Sequence, residues 1–225
     1  MSSNLADVAE PRDVDVMFDQ LLRTEDEALI AARESAPAAD MPPIEVSAQY
    51  GKLLSLLATI SGARRVLEIG TLAGYSTINL ARGIGADGHV VTLEYEPRHA
   101  EVARANLQRA GVADRVEIIV GAALDTLPTL AERGDVFDFI FIDADKENNV
   151  SYVEWAIKLG RPGSVIVVDN VTRFGRVLEP AADDPQALAV HDMLELMGNH
   201  PRLDAAAIQT VGAKGWDGFA VALVR

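Results

Sequence analysis

The 225-residue sequence predicts an α/β fold built on a mostly parallel sheet with helices on both faces. Two observations carry that expectation. From Arg65 onward, short apolar runs alternate with stretches of helical spacing, and parallel strands need such crossover connections. After Asp169 the alternation stops. The last two apolar runs follow one another without a helix, as an antiparallel pair closing a sheet edge would.

Taken in order, Asp13 to about Arg33 carries Val14, Met17, Phe18, Leu21, Leu22, Leu29 and Ile30 at helical spacing, which predicts one helix. The segment ESAPAADMPP, rich in Pro and Ala, is expected to be a loop. A second helix is expected over Glu45–Ile60, with Val46, Tyr50, Leu53, Leu54 and Leu57 on one side. These two helices precede the alternating pattern and read as a lid or an oligomer surface, with residues 1–44 an N-terminal helical extension and residues 45–225 the main domain. In that domain strands are predicted at Val66–Ile69, His89–Leu93, Val116–Val120, Phe137–Ile142 and Ser164–Val168. Helices are predicted near Gly74–Arg82, Pro97–Ala110, Ala122–Arg133 and Asn149–Leu159. A helix near Pro185–Gly198 then leads to strands near Leu203–Thr210 and Phe219–Val224.

A hydrophobic share of 49% is enough for a sizeable core in an ordinary globular chain. The net charge of −14 disfavours nucleic acid or an anionic membrane as a partner; it would suit a cationic ligand or a metal ion, and plain solubility is the commoner meaning of an acidic surface. With no cysteine, a disulfide framework, a zinc–thiolate site and a thiol nucleophile are excluded. The first thirty residues lack the pattern of a secretory leader, and no apolar run approaches the roughly 18 residues of a membrane span, so the cytoplasm is expected.

The stretch VLEIGTLAGYS (Val66–Ser76) reads as a strand, a glycine turn and a helix start. Ligands of a parallel sheet sit outside the carboxyl ends of its strands. Gly70 allows close approach of a ligand and Gly74 allows tight helix packing. The E-x-G-x-x-x-G spacing matches neither the dinucleotide turn nor the phosphate loop. Glu68 is a candidate acceptor for a ligand ammonium, and Glu94, ending the next strand, offers paired acceptors to a ribose diol. Gly121 and Ala122 leave room for a flat adenine after the third strand. A ribose-binding acid without a phosphate loop points to S-adenosylmethionine, a nucleoside without phosphate.

FDFIFIDADKENN (Phe137–Asn149) ends an apolar strand in Asp143, Asp145 and Lys146, and SVIVVDN ends the next strand in Asp169 and Asn170. Adjacent strands lie about 4.8 Å apart, so Asp143, Asp169 and Asn170 are expected to converge on one ion. The all-oxygen set suits magnesium, with manganese or calcium as substitutes, and lacks the His of a zinc site. Lys146 is a candidate base for a hydroxyl. The plainer alternatives are a solvated turn in which Lys146 neutralises its neighbours, and a helix cap or Asx-turn at Asp169–Asn170.

With these stretches, and with GKLLSLL and GSVIVVDNVTRFGRVLEP, the chain resembles the cation-dependent class I O-methyltransferases, the group of catechol and caffeoyl-CoA O-methyltransferases with its bacterial members. The resemblance runs from about Met41 to the C-terminus, and its D-A-D-K and D-N motifs are the most specific. It implies a Rossmann-like seven-stranded sheet with the last strand antiparallel, and a homodimer. The implied activity is methyl transfer from S-adenosylmethionine to a hydroxyl of a small catechol-like, vicinal dihydroxy aromatic acceptor. The implied metal ligands are Asp143, Asp169 and Asn170, with Lys146 taking the proton and Asp143 close to the sulfonium. The implied cofactor residues are Val46, Glu68, Gly70, Thr71, Ser76, Glu94, Ala122, Asp143 and Asp145. Asn149 and Arg173 stand where the family often has Tyr and an aromatic residue, both on the expected acceptor side, which bears against a caffeoyl-CoA-like acceptor.

Three other readings are weaker. Methylation of a hydroxylated uridine in tRNA is opposed by the net charge and the lack of a basic stripe. A non-catalytic cofactor-binding protein is opposed by the intact acid–lysine set, and an NAD-dependent dehydrogenase by the turn spacing. His89, His99, His191 and His200 are scattered and are expected to be surface or packing residues. Trp155 is expected on a buried helix face, and Trp216 in packing or at the border of the acceptor pocket.

Overall fold

The structure, a computed structural model, describes residues 9–225. Its strands are β1 (Arg65–Ile69), β2 (His89–Glu94), β3 (Val116–Val120), β4 (Phe137–Ile142), β5 (Gly160–Asp169), β6 (Leu203–Gly212) and β7 (Gly215–Val224). They form one sheet in the order β3-β2-β1-β4-β5-β7-β6. Neighbours from β3 to β5 are parallel, and β7 is antiparallel to both β5 and β6. The crossovers are α4 (Tyr75–Gly83), α5 (Pro97–Arg109), α6 (Ala123–Glu132) and α7 (Asn149–Leu159), and α8 (Pro185–Asn199) precedes β6. The sheet is thus the mostly parallel one that the alternation predicts, and its closing pair turns on Ala213 and Lys214.

The sheet is buried on both faces, which is why its central strands read as largely apolar runs, interrupted by Glu68, Thr92 and Asp138. In β4, Phe139 and Phe141 join one core cluster and Ile140 and Ile142 the other.

The N-terminal region departs from its predicted form. Instead of one helix to about Arg33, there are α1 (Pro11–Leu22) and α2 (Glu27–Ala38). The break has a local cause. Arg23 adopts a left-handed φ of 48°, the Thr24 hydroxyl donates to Asp19 at 3.0 Å, and Asp26 restarts the helix by accepting from Leu29 N at 3.1 Å. The predicted loop beginning at Glu34 is helical as far as Ala38, since the burial of Ala32 and Ala36 outweighs the cost of Pro37 in the last turn. Then α3 (Ala48–Ile60) begins three residues later than expected, because Ser47 caps it through Tyr50 N at 3.3 Å.

Where β1 ends, Gly70 has a φ of 101° and lies against the end of β4: a Cβ there would stand 2.0 Å from the Asp143 carbonyl oxygen. No side chain fits. Replacing Gly70 with Ala is expected to cost about 2–3 kcal/mol, a drop in thermal midpoint of roughly 5–10 °C for a chain of this size. An unshifted melting curve would show that the two strand ends separate without penalty.

Candidate active site

The order of the sheet reverses between β1 and β4, and ligands bind at such a switch point. A cavity of about 1560 Å³ opens there. Of the predicted site residues, Val46, Gly70, Thr71, Ser76, Glu94, Ala122, Asp143, Asp145, Lys146, Asp169 and Asn170 line it, and Glu68 does not.

Glu94 is held before any ligand arrives. Its Oε2 accepts from the backbone N–H groups of Thr71 (3.2 Å) and Leu72 (2.7 Å), and its Oε1 from Glu96 N (2.9 Å). His99 Nδ1 lies 3.3 Å from the same Oε1, and His99 lines the cavity, where sequence reading expected a surface or packing residue. The available signal was its position five residues after Glu94, in the first turn of a helix.

Glu68 lies behind the wall, fully buried. Its Oε2 accepts from the hydroxyls of Thr77 (2.5 Å) and Thr92 (2.6 Å), while Oε1 has no partner. The carboxyl thus braces α4 and β2 beneath the glycine turn. Burial pushes its pKa up to about 7 against the pull of those hydroxyls.

On the other side, Lys146 is only 7% exposed and its Nζ lies 2.9 Å from Asp143 Oδ1. Asp169 is buried nearby, and desolvation, then the Asp143 charge, pushes its carboxyl well above the usual carboxylate range. Asn170 takes a left-handed φ of 61°. Its N–H donates to Asp169 Oδ1 (2.8 Å) and its side-chain NH₂ to Asp217 Oδ2 (3.0 Å), which leaves the amide oxygen as the group available to a cation. Among the described residues no three His, Cys, Asp or Glu side chains are grouped to hold an ion, so a site here needs that amide oxygen as its third protein ligand. Two carboxylates and an amide oxygen are hard donors, and a buried carboxyl disfavoured as an anion fits a place made for positive charge.

Sequence reading missed two further residues here. Asp217 anchors the Asn170 loop, accepting also from the Thr172 hydroxyl (3.1 Å) and Gly218 N (2.9 Å). Tyr50, read as part of an apolar helix side, lines the cavity with a buried hydroxyl that has no hydrogen-bond partner. Its ring stacks on Phe219 with centroids 5.1 Å apart, and burial, then the Asp169 charge, pushes its pKa up. Asp145 accepts from the Tyr152 hydroxyl and the Asn148 amide.

Two acceptor-side expectations change. Asn149 is fully buried, does not line the cavity, and has neither amide atom paired. Arg173 does line it, but its guanidinium is hydrogen-bonded to Gln186. The next residue, Phe174, with φ 57°, places an aromatic side chain in the cavity wall one position along. Trp216 is not in the wall; it packs so close to Gly175 that a Cβ there would lie 3.0 Å from its ring. Trp155 is half-buried against the core.

The profile of the O-methyltransferase family matches residues 22–221. A catechol O-methyltransferase of Mycobacterium tuberculosis is 65% identical over 215 residues, 96% of either chain. The structure of an O-methyltransferase from Bacillus cereus in complex with SAH superposes with a TM-score of 0.93 at 48% identity, covering 96% of this chain and 98% of that one. The O-methyltransferase TomG from Streptomyces achromogenes, involved in tomaymycin synthesis and in complex with SAM, gives 0.92 at 49%, covering 95% and 96%. This chain belongs to the O-methyltransferase family. It is an enzyme that places a methyl group on an oxygen.

The brace at Glu68 predicts a pH effect on stability. Its carboxyl has an ordinary value of 4.5 and is raised to about 7 in the fold, so its stabilising contribution is full below 4.5 and is lost as pH rises through about 7. Urea denaturation should show the wild type losing on the order of 3 kcal/mol relative to Glu68→Gln as pH rises from about 4.5 to about 7.5. Parallel pH profiles for the two proteins would remove Glu68 as the titrating group.

Proposed function

We propose that the protein transfers the methyl group of S-adenosylmethionine to one hydroxyl of a small catechol-like aromatic acceptor, with a divalent cation, magnesium first, held by Asp143, Asp169 and Asn170. The observation that carries this reading is the Lys146–Asp143 pair, 2.9 Å apart, in one cavity with Asp169 and Asn170. The donor-derived ligands named for the B. cereus and S. achromogenes structures, and the name of the M. tuberculosis relative, support it.

Val46, Gly70, Thr71, Ser76, Ala122 and Asp145 would hold the donor and Glu94 its ribose diol, with Glu68 bracing the turn from beneath. A bound cation supplies the positive charge that favours an ionised phenol. The hydroxyl proton passes to Lys146 in its neutral amine form while the oxygen attacks the methyl carbon; the O–C bond forms as the S–C bond breaks, and the electron pair stays on sulfur. The Asp143 carboxylate, already hydrogen-bonded to Nζ, holds the resulting ammonium in place. The cytoplasm and a homodimer are the proposed setting. No helix among the described residues is long and apolar enough to cross a membrane. A net charge of −14 weighs against a tRNA acceptor.

Lys146→Ala is expected to lower turnover by about 10²–10⁴-fold, the range of general-base catalysis, while calorimetry shows donor affinity within about threefold of wild type. Undiminished turnover would sink the base assignment. Full chelation should abolish methyl transfer and added magnesium restore it; activity that persists in excess chelator would remove the cation.

A further inference from the structure

Strand ends supply only part of the cavity wall. Helix α1 buries no side chain, yet Asp15, Phe18 and Leu22, spaced by three and four residues, place one of its faces on the cavity. Polar tethers rather than core packing hold it there. Asp15 Oδ2 accepts from Ala213 N at the β6–β7 turn (2.7 Å), and Asp19 Oδ1 from the Gln49 side chain (2.8 Å). The first tether is close-fitting, since a Cβ on Gly212 would lie 2.1 Å from Asp15 Oδ2. The same turn is tied to the segment before α3 through Lys214, whose Nζ donates to the Pro43 carbonyl (3.3 Å).

The surface these pieces present is apolar and uncovered. Phe18, Leu22, Ile44, Leu56, Phe174 and Val211 all line the cavity while remaining 41–67% exposed. The cavity of about 1560 Å³, which on the proposed reading takes the donor as well as the acceptor, extends from the strand ends to this apolar surface. Of the cations on this wall, Lys214 is paired with Glu45, while Arg173 bonds only the neutral Gln186 amide and, like Lys52, has no salt bridge among the described residues.

We infer that this wall is an acceptor subsite for an extended apolar substituent, so that the preferred acceptors are catechols carrying an alkyl or aryl chain. The inference rests on the catechol reading above and adds the chemistry of the rest of the acceptor. Phe18 and Leu22 are its specificity-determining residues.

The test is a series of 4-alkylcatechols, from unsubstituted to hexyl, assayed with saturating S-adenosylmethionine and magnesium. In the wild type kcat/KM should rise by up to about fourfold per buried methylene. In the double variant Phe18→Ala, Leu22→Ala the hexyl-to-unsubstituted ratio should fall by about tenfold, with the thermal midpoint within about 2 °C of wild type because neither side chain is buried. A flat series in a wild type that turns over catechol would overturn the subsite and leave the catechol reading standing. A slope retained in the variant would overturn it too. So would a variant whose loss of slope accompanies concentration-dependent loss of a dimer, which would give the apolar face to a second copy of the chain. Failure to turn over any catechol removes both readings together.

Discussion

One backbone contact sets the geometry of the whole site. Asp143 N donates to Ile69 O at 2.9 Å, and Gly70 packs against the Asp143 carbonyl with no room for a side chain. The glycine turn and the acid-bearing strand end are thereby one rigid piece. The next link is as short, because Glu94 accepts from the two N–H groups that follow Gly70. Three strand ends, contributing the Glu94 carboxylate, a glycine turn and an acid–lysine pair, are referenced to each other through one backbone-to-backbone link and one side-chain carboxylate held on backbone N–H groups. Group transfer between two bound molecules depends on such fixed references, since holding the reactants in line supplies much of its rate advantage.

The same edge concentrates negative charge. Asp143, Asp169 and Asp217 face one region in which Lys146 is the buried cation, and the Tyr50 hydroxyl adds a further polar group without a partner. Gathering like charges out of water is unfavourable and persists only where neighbours compensate. Here the compensation is partial: Lys146 meets Asp143, the Asn170 N–H meets Asp169, and the Asn170 amide meets Asp217. The residual imbalance, seen in the raised Asp169 carboxyl, is what makes this edge receptive to positive charge.

Sequence reading succeeded where the signal is local. The strands stand out because burial on both faces makes them largely apolar, and D-A-D-K and D-N announce themselves by putting charge at the end of such runs. It failed where position is set by tertiary structure. Apolar spacing continues across Arg23–Asp26, so the helix break there shows only in the capping chemistry. Tyr50, His99 and Asp217 reach the cavity from α3, α5 and β7, and nothing in their own neighbourhoods fixes where those elements lie. Glu68 was legible in part: period two puts it on the same strand face as Val66, under helices rather than at the open edge. Asn149 carries no such cue, and only packing reveals that it is enclosed.

Helix α1 has a consequence for how the enzyme can change. The tethers at Asp15 and Asp19 apart, its side chains contribute nothing to the core, so exchanging them costs the fold little. The strand ends at the switch point enjoy no such freedom; at Gly70 even a methyl group is barred. On the proposed acceptor role of α1, innovation in what is methylated is therefore decoupled from maintenance of how methylation is done, with a replaceable cover set over a frozen edge.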